Sequence, residues 1–269
     1  MHILESFWSM VAGHHPFSTF FYMFLSASGL NAFLAIAFKT RKIQPNGFKW
    51  TIYRDEFAFG LLNVMLSGVL IGGMTAFLSS RGLSKIISEP TGGWGVTAEL
   101  ALYFFAFDTW FYWLHRLMHK GQFYTWIHKI HHRSTSPNVA TTFSVSPLES
   151  LVNGGFIPLF TAVVPVHAQS LAPMTAIAGA MGIYVHCGYE FMPRWWNKSW
   201  VTKWFITATF HDQHHKYFNW NFGGYTTIWD RLCGTIRRKF ENDFDQAKVR
   251  GMGNASALSP QDPIPSNLK

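Results

Sequence analysis

Nine of the thirteen histidines fall into clusters whose spacing can put several imidazoles on one metal ion. His115 and His119 are spaced H-x-x-x-H, and His128, His131 and His132 follow as H-x-x-H-H. The second pattern returns as His211, His214 and His215, and His186 stands between them in the string HCGYE. In helical form His115 and His119 lie roughly 40° apart on one face, as do His128 and the pair His131 and His132, so each piece aims its rings at one point. A lone histidine is ordinarily a satisfied core or surface residue, but three clusters at this spacing argue for metal. Zinc in a structural site takes four ligands. Two first-row ions absorb eight or nine imidazoles and leave room for oxygen or water. Asp108 precedes His115 by seven residues, nearly on the same helical face, and is expected to accept a hydrogen bond from a ligating imidazole.

The elements that must position these residues read as membrane helices. Only 13% of the 269 residues are charged, against 48% hydrophobic and 17% aromatic, whereas soluble domains carry about 25% charge. The mean hydropathy of +0.07 averages very apolar and quite polar parts. Residues 17–38 and 57–80 are uncharged and long enough to span a bilayer. The second of these carries Gly68 and Gly72 at G-x-x-x-G spacing, which permits close helix approach. A third span, 96–114, runs straight into His115. From 150 to 189 no Lys, Arg, Asp or Glu occurs, and the polar kink between Pro165 and Pro173 divides the stretch into a hairpin whose ends emerge near Glu149 and His186. The N-terminus has no basic region followed by a small-residue cleavage site, so no secretory signal is expected.

Four spans put 20 of the 22 Lys and Arg on one side, with Arg81 and Lys85 opposite. That is the positive-inside pattern, and it turns all the histidine clusters to the cytoplasm. The expected fold is thus all-α: a polytopic membrane bundle of about four spans, the last two a hairpin, under a cytosolic helical cap that carries a di-metal site. The expected organisation is a membrane region 1–114, boxes one and two at 115–149, the hairpin 150–189, a cap 190–250 with the third box, and a disordered tail 251–269. The net charge of +8 follows from topology and adhesion to anionic lipid, so nucleic acid is not an expected partner. Trp110, Trp113, Trp126, Trp195, Trp196, Trp200, Trp204 and Trp220 read as an interfacial aromatic belt. Cys187 and Cys233 read as free thiols and are too few for an iron-sulfur cluster.

The strings HRLMH, HKIHH, HCGYE, HDQHH and WDRLCGT, in this order over residues 95–240, resemble the fatty acid hydroxylase/sterol desaturase superfamily of integral membrane oxygenases. The resemblance implies a non-haem site of two iron ions on the cytosolic face of a bacterial inner membrane or the endoplasmic reticulum. Such a site uses O2 and two electrons to hydroxylate or desaturate a lipid C–H bond. The nine histidines map onto the family's boxes, with His186 as the extra histidine before G-Y-E. Some relatives have a second histidine four residues on, where this chain has Glu190, expected either to ligate or to orient His186. Asp212 and Asp230 are further candidates to orient ligands.

The chain has no flavin or pyridine-nucleotide fingerprint, so electrons are expected from a separate ferredoxin, or a b-type cytochrome with its reductase. Two other classes use histidine boxes. A zinc-dependent membrane hydrolase would want a general-base carboxylate beside the box, where Arg116 stands instead. A metal transporter would place its ligands at the bilayer midplane or in loose His-rich loops.

Overall fold

The computed structural model describes residues 16–44 and 49–250, with side chains placed from 25 to 247. His14, His15 and the tail expected to be disordered lie outside the described residues. The chain is mostly helical, and its sheet consists of two short parallel strands.

Helix α1, Pro16–Ala37, matches the first apolar stretch. Helix α2, Trp50–Ser80, begins seven residues before the second. Among the described residues it alone is long and apolar enough to cross a membrane, and only 6% of its apolar window is buried. Leu62, Met65, Val69 and Phe77 point outward with no protein over them, a surface that fits lipid and would be costly in water. Its inward face carries small and polar groups. Gly60 lies where an added Cβ would sit 3.0 Å from Phe143, and Asn63 contacts Ser150. Gly68 faces open space, and the close approach shown on this helix is at Gly60.

Helix α3, Gly93–Met118, continues unbroken from the third apolar stretch through His115. The uncharged stretch that follows is less regular than a simple hairpin. Its outgoing leg is two short helices, α4 (Pro147–Gly154) and α5 (Phe156–Val163), separated at Gly155. The returning leg is α6, Ala168–His186, and it contains Pro173, which the sequence reading had put in the kink. Pro173 leaves the Gln169 carbonyl without its helical donor and crowds it, and α6 runs on through it. Strand β1 (Ile86–Ile87) pairs with β2 (Val166–His167) at the tip, which ties the hairpin's turn to the loop bearing Arg81 and Lys85. Rings of Tyr103, Phe107, Phe156 and Phe160 fill the space between α3 and the outgoing leg.

The C-terminal part holds α7, Ala208–Tyr217, whose N-terminus is capped by the Thr207 hydroxyl. A short helix α8, Ile228–Leu232, and α9, Phe240–Arg250, complete it. Val185, Ile206, Phe210, Phe240 and Phe244 form the core beneath.

Candidate metal centre

The nine histidines meet in two adjoining groups. His115, His119, His128, His132 and His214 place one nitrogen each within 4.8 Å of one another, and His131, His186, His211 and His215 do the same. All nine are buried. Box one sits at the end of α3, with His119 as its C-cap. Box two is not α-helical. His128 closes a π-helical turn, Tyr124–His128, and His131 and His132 open a 3₁₀ turn, His131–Arg133. The change of winding sends His128 and His132 into one group and His131 into the other. Box three lies on α7, and His186 ends α6.

Backbone carbonyls fix which nitrogen faces inward. Nδ1 of His115 is 2.8 Å from the Phe222 carbonyl, Nδ1 of His214 is 2.8 Å from that of Trp220, and Nδ1 of His215 is 2.9 Å from that of Ser134. Nδ1 of His186 is 2.7 Å from the Gly182 carbonyl. A carbonyl only accepts, so each of these rings carries its proton on Nδ1 and turns the Nε2 lone pair inward. Yet Nε2 of His115 lies 3.0 Å from Nε2 of His128, His132 lies 3.0 Å from His214, and His211 lies 2.9 Å from His186. Nδ1 of His128, His132 and His211 has no hydrogen-bond partner, so each of these rings can carry its single proton on Nε2 and donate to the ring it faces, while the doubly protonated, charged form is disfavoured. Burial first, and the neighbouring rings second, drive His119, His128, His132 and His214 well below the usual histidine range, and burial takes His115 down to about 3.

A metal ion bound by both rings of a pair would take the place of such a shared proton. Donors about 2.1 Å from one first-row ion sit about 3.0 Å apart when adjacent at right angles, so the observed spacings fit such an ion in each group. The buried Nε2 of His215, which has no hydrogen-bond partner, fits the same reading.

The carboxylates act at one remove. Asp108 accepts from the amides of Tyr225 and Thr226, both at 2.8 Å, and from the Thr226 hydroxyl, not from an imidazole. The expected bond to His115 is therefore replaced: the Phe222 carbonyl takes that proton, and Asp108 anchors the same loop. Asp230 anchors its other end through the amides of Phe222 and Gly223. Glu190 stands outside both groups and accepts from the amides of Met192 and Thr209, the latter in the first turn of α7. Asp212 accepts from Gln44 at 2.9 Å.

Glu149 escaped the sequence reading. Its Oε1 lies 2.9 Å from Nδ1 of His128, a close contact that is not an aligned hydrogen bond. The signal was the string Ser146-Pro-Leu-Glu149, a helix start with a carboxylate in its first turn just after box two. The carbonyl acceptors carry no sequence signal at all.

Residues 100–235, which carry both groups, match the fatty acid hydroxylase family. The chain belongs to that family. It is 36% identical over 146 residues to a methylsterol monooxygenase of Aspergillus fumigatus, covering 52% of this chain and 47% of the relative. It is 26% identical over 182 residues to the lathosterol oxidase of Mus musculus, covering 65% and 59%. A Delta(7)-sterol 5(6)-desaturase of Leptosphaeria maculans is 25% identical over 222 residues, covering 81% and 58%. The chain spans about half the length of the curated relatives it matches. No solved structure matches it.

Proposed function

We propose that this chain is a membrane-bound oxygenase that uses two histidine-held iron ions to hydroxylate or desaturate a C–H bond of a lipid, with sterols the first class to try. The observation that carries the reading is the set of inward-facing Nε2 atoms 2.9–3.2 Å apart in two buried groups. The names of the relatives, a monooxygenase, an oxidase and a desaturase acting on sterols, support the substrate class.

Iron would supply the oxidising power that side chains lack, with O2, two electrons and two protons yielding one water on hydroxylation and two on desaturation. The residues of this chain bind, orient and exclude. Carbonyl acceptors hold the ligand tautomers, while Asp108 and Asp230 hold the loop that provides two of those carbonyls. The Phe222 ring packs against His115, His119 and His214, and the Phe218 ring lies 4.9 Å from His132, which keeps bulk water off the centre.

The same reading gives four crossings: α1, α2, α3 and the hairpin from α4 to α6. The strand pairing at the hairpin tip and the imidazoles at its base support an in-and-out course. The basic residues then turn the centre to the cytoplasm of an inner membrane or the cytosolic side of the endoplasmic reticulum. Electrons come from a separate ferredoxin or b-type cytochrome.

The test is metal analysis with oxygen uptake on the purified protein, a sterol substrate and a donor chain. Two irons per chain and a sterol that has gained one oxygen or lost two hydrogens are expected, with no turnover on NADPH alone. Zinc in place of iron with no oxygen consumed would overturn the reading.

A further inference from the structure

The two imidazole groups differ in what stands behind their rings. In the four-imidazole group the Nδ1 contacts are with neutral carbonyls: Ser144 for His131, Gly182 for His186 and Ser134 for His215. In the five-imidazole group, His115 and His214 follow the same rule, but His128 backs onto Glu149. Glu149 is 2% exposed, and among the described residues no lysine or arginine pairs with it. It is also held in place. The Ser146 hydroxyl accepts from the Glu149 amide and donates to the carbonyl of Ile127, the residue before His128. The turn bearing the ligand and the helix bearing the carboxylate are thus tied to one hydroxyl.

A buried carboxylate without a basic partner is costly unless a cation lies close by. Resting on the di-metal reading above, we infer that Glu149 is a positioning residue that makes the two metal positions unequal. Its charge behind His128 raises the ring's donor strength, so a divalent ion is held more tightly by the five-imidazole group than by the four-imidazole group. The arrangement is a carboxylate, imidazole and metal in series, and loss of such a carboxylate weakens metal binding by about 10- to 100-fold.

The experiment loads the full chain in detergent with ⁵⁷Fe(II) under anaerobic conditions and counts iron against rising chelator, alongside Mössbauer spectra and circular dichroism. Wild type should release its two irons in two steps. Glu149→Gln, which keeps shape and removes charge, should lower the tighter step by about tenfold or more, leave the weaker step in place, and shift one of the two iron signals. Glu149→Asp should fall between. A single step in wild type, unchanged steps in Glu149→Gln, or equal loss of both irons in the two variants would overturn the inference. Should Glu149→Gln not fold, Glu149→Asp decides: selective weakening of the tighter step supports the inference, and no change or equal weakening of both steps refutes it. A wild-type protein that binds no iron overturns the di-metal reading and the inference with it, whereas two irons with an indifferent variant overturn the inference alone.

Discussion

Asp230 offers a way to measure how firmly the loop at 220–226 is held. Its carboxylate takes the amides of Phe222 and Gly223 and the hydroxyl of Thr235 at 2.7–2.9 Å. Burial outweighs these bonds and pushes its pKa up from 3.8 to about 6. A carboxyl whose folded pKa lies above its unfolded value binds its proton more readily when folded, so it favours folding least once both forms are ionised. The shift of about two units corresponds to about 3 kcal/mol, lost as pH rises from roughly 4 to 6. About 1.4 kcal/mol of that change falls between about pH 5 and pH 7.5. Asp230→Asn abolishes the titration and turns an amide NH2 toward one of the donors, at a cost of about 1–3 kcal/mol. The variant should therefore melt below wild type near pH 5, and the gap should narrow by roughly 1 kcal/mol by about pH 7.5. Melting curves and hydrogen exchange at the Phe222 and Gly223 amides, taken as wild type minus variant, cancel every other titrating group. A difference that stays flat, or widens as pH rises, would refute the argument.

Other outcomes can be checked alongside. Glu190→Ala leaves the amides of Thr209 and Met192 without their acceptor and should cost about 1–3 kcal/mol in melting while both metals stay bound; loss of one metal equivalent would make Glu190 a ligand after all. His186→Ala should remove activity and weaken one metal position while the protein still inserts. His167→Ala should leave metal content unchanged, because His167 pairs with Glu99 at the hairpin tip; a metal lost there would break the two-group assignment. Cysteine labelling at positions 49 and 238 should report the same side of the membrane and position 85 the other, and disagreement between 49 and 238 would end the four-span count.

The histidine boxes were legible because metal ligation leaves its mark on residue type and spacing together. His115 and His119 could be placed on one face from helical pitch alone. Box two met the same spacing rule through a different backbone, a π turn followed by a 3₁₀ turn, and nothing in HKIHH distinguishes that from an α-helix. It is this winding that assigns His131 and His132 to different groups. Asp108 was found as an important carboxylate but given the wrong partner, since helical phase shows which side a residue faces and not what the chain brings there 117 positions later. The apolar stretches gave α1 to within a residue and the end of α2, but not the seven residues, Trp50 to Glu56, with which α2 begins. The break at Gly155 did not show, because an added Cβ there would meet the Leu151 carbonyl at 2.3 Å, a tertiary and backbone matter.

The acceptors that hold the ligand rings are the main-chain oxygens of Phe222, Trp220, Ser134, Ser144 and Gly182. No substitution deletes a carbonyl, so alanine scanning would pass over this layer and register only the bulk of the side chains above it. The same property gives the chain freedom to vary. Side chains facing the lipid can be exchanged while the oxygens that set each imidazole's tautomer stay where the fold puts them. Perturbing that layer calls for backbone chemistry: an ester in place of the amide after Phe222 weakens its carbonyl as an acceptor without altering a single side chain.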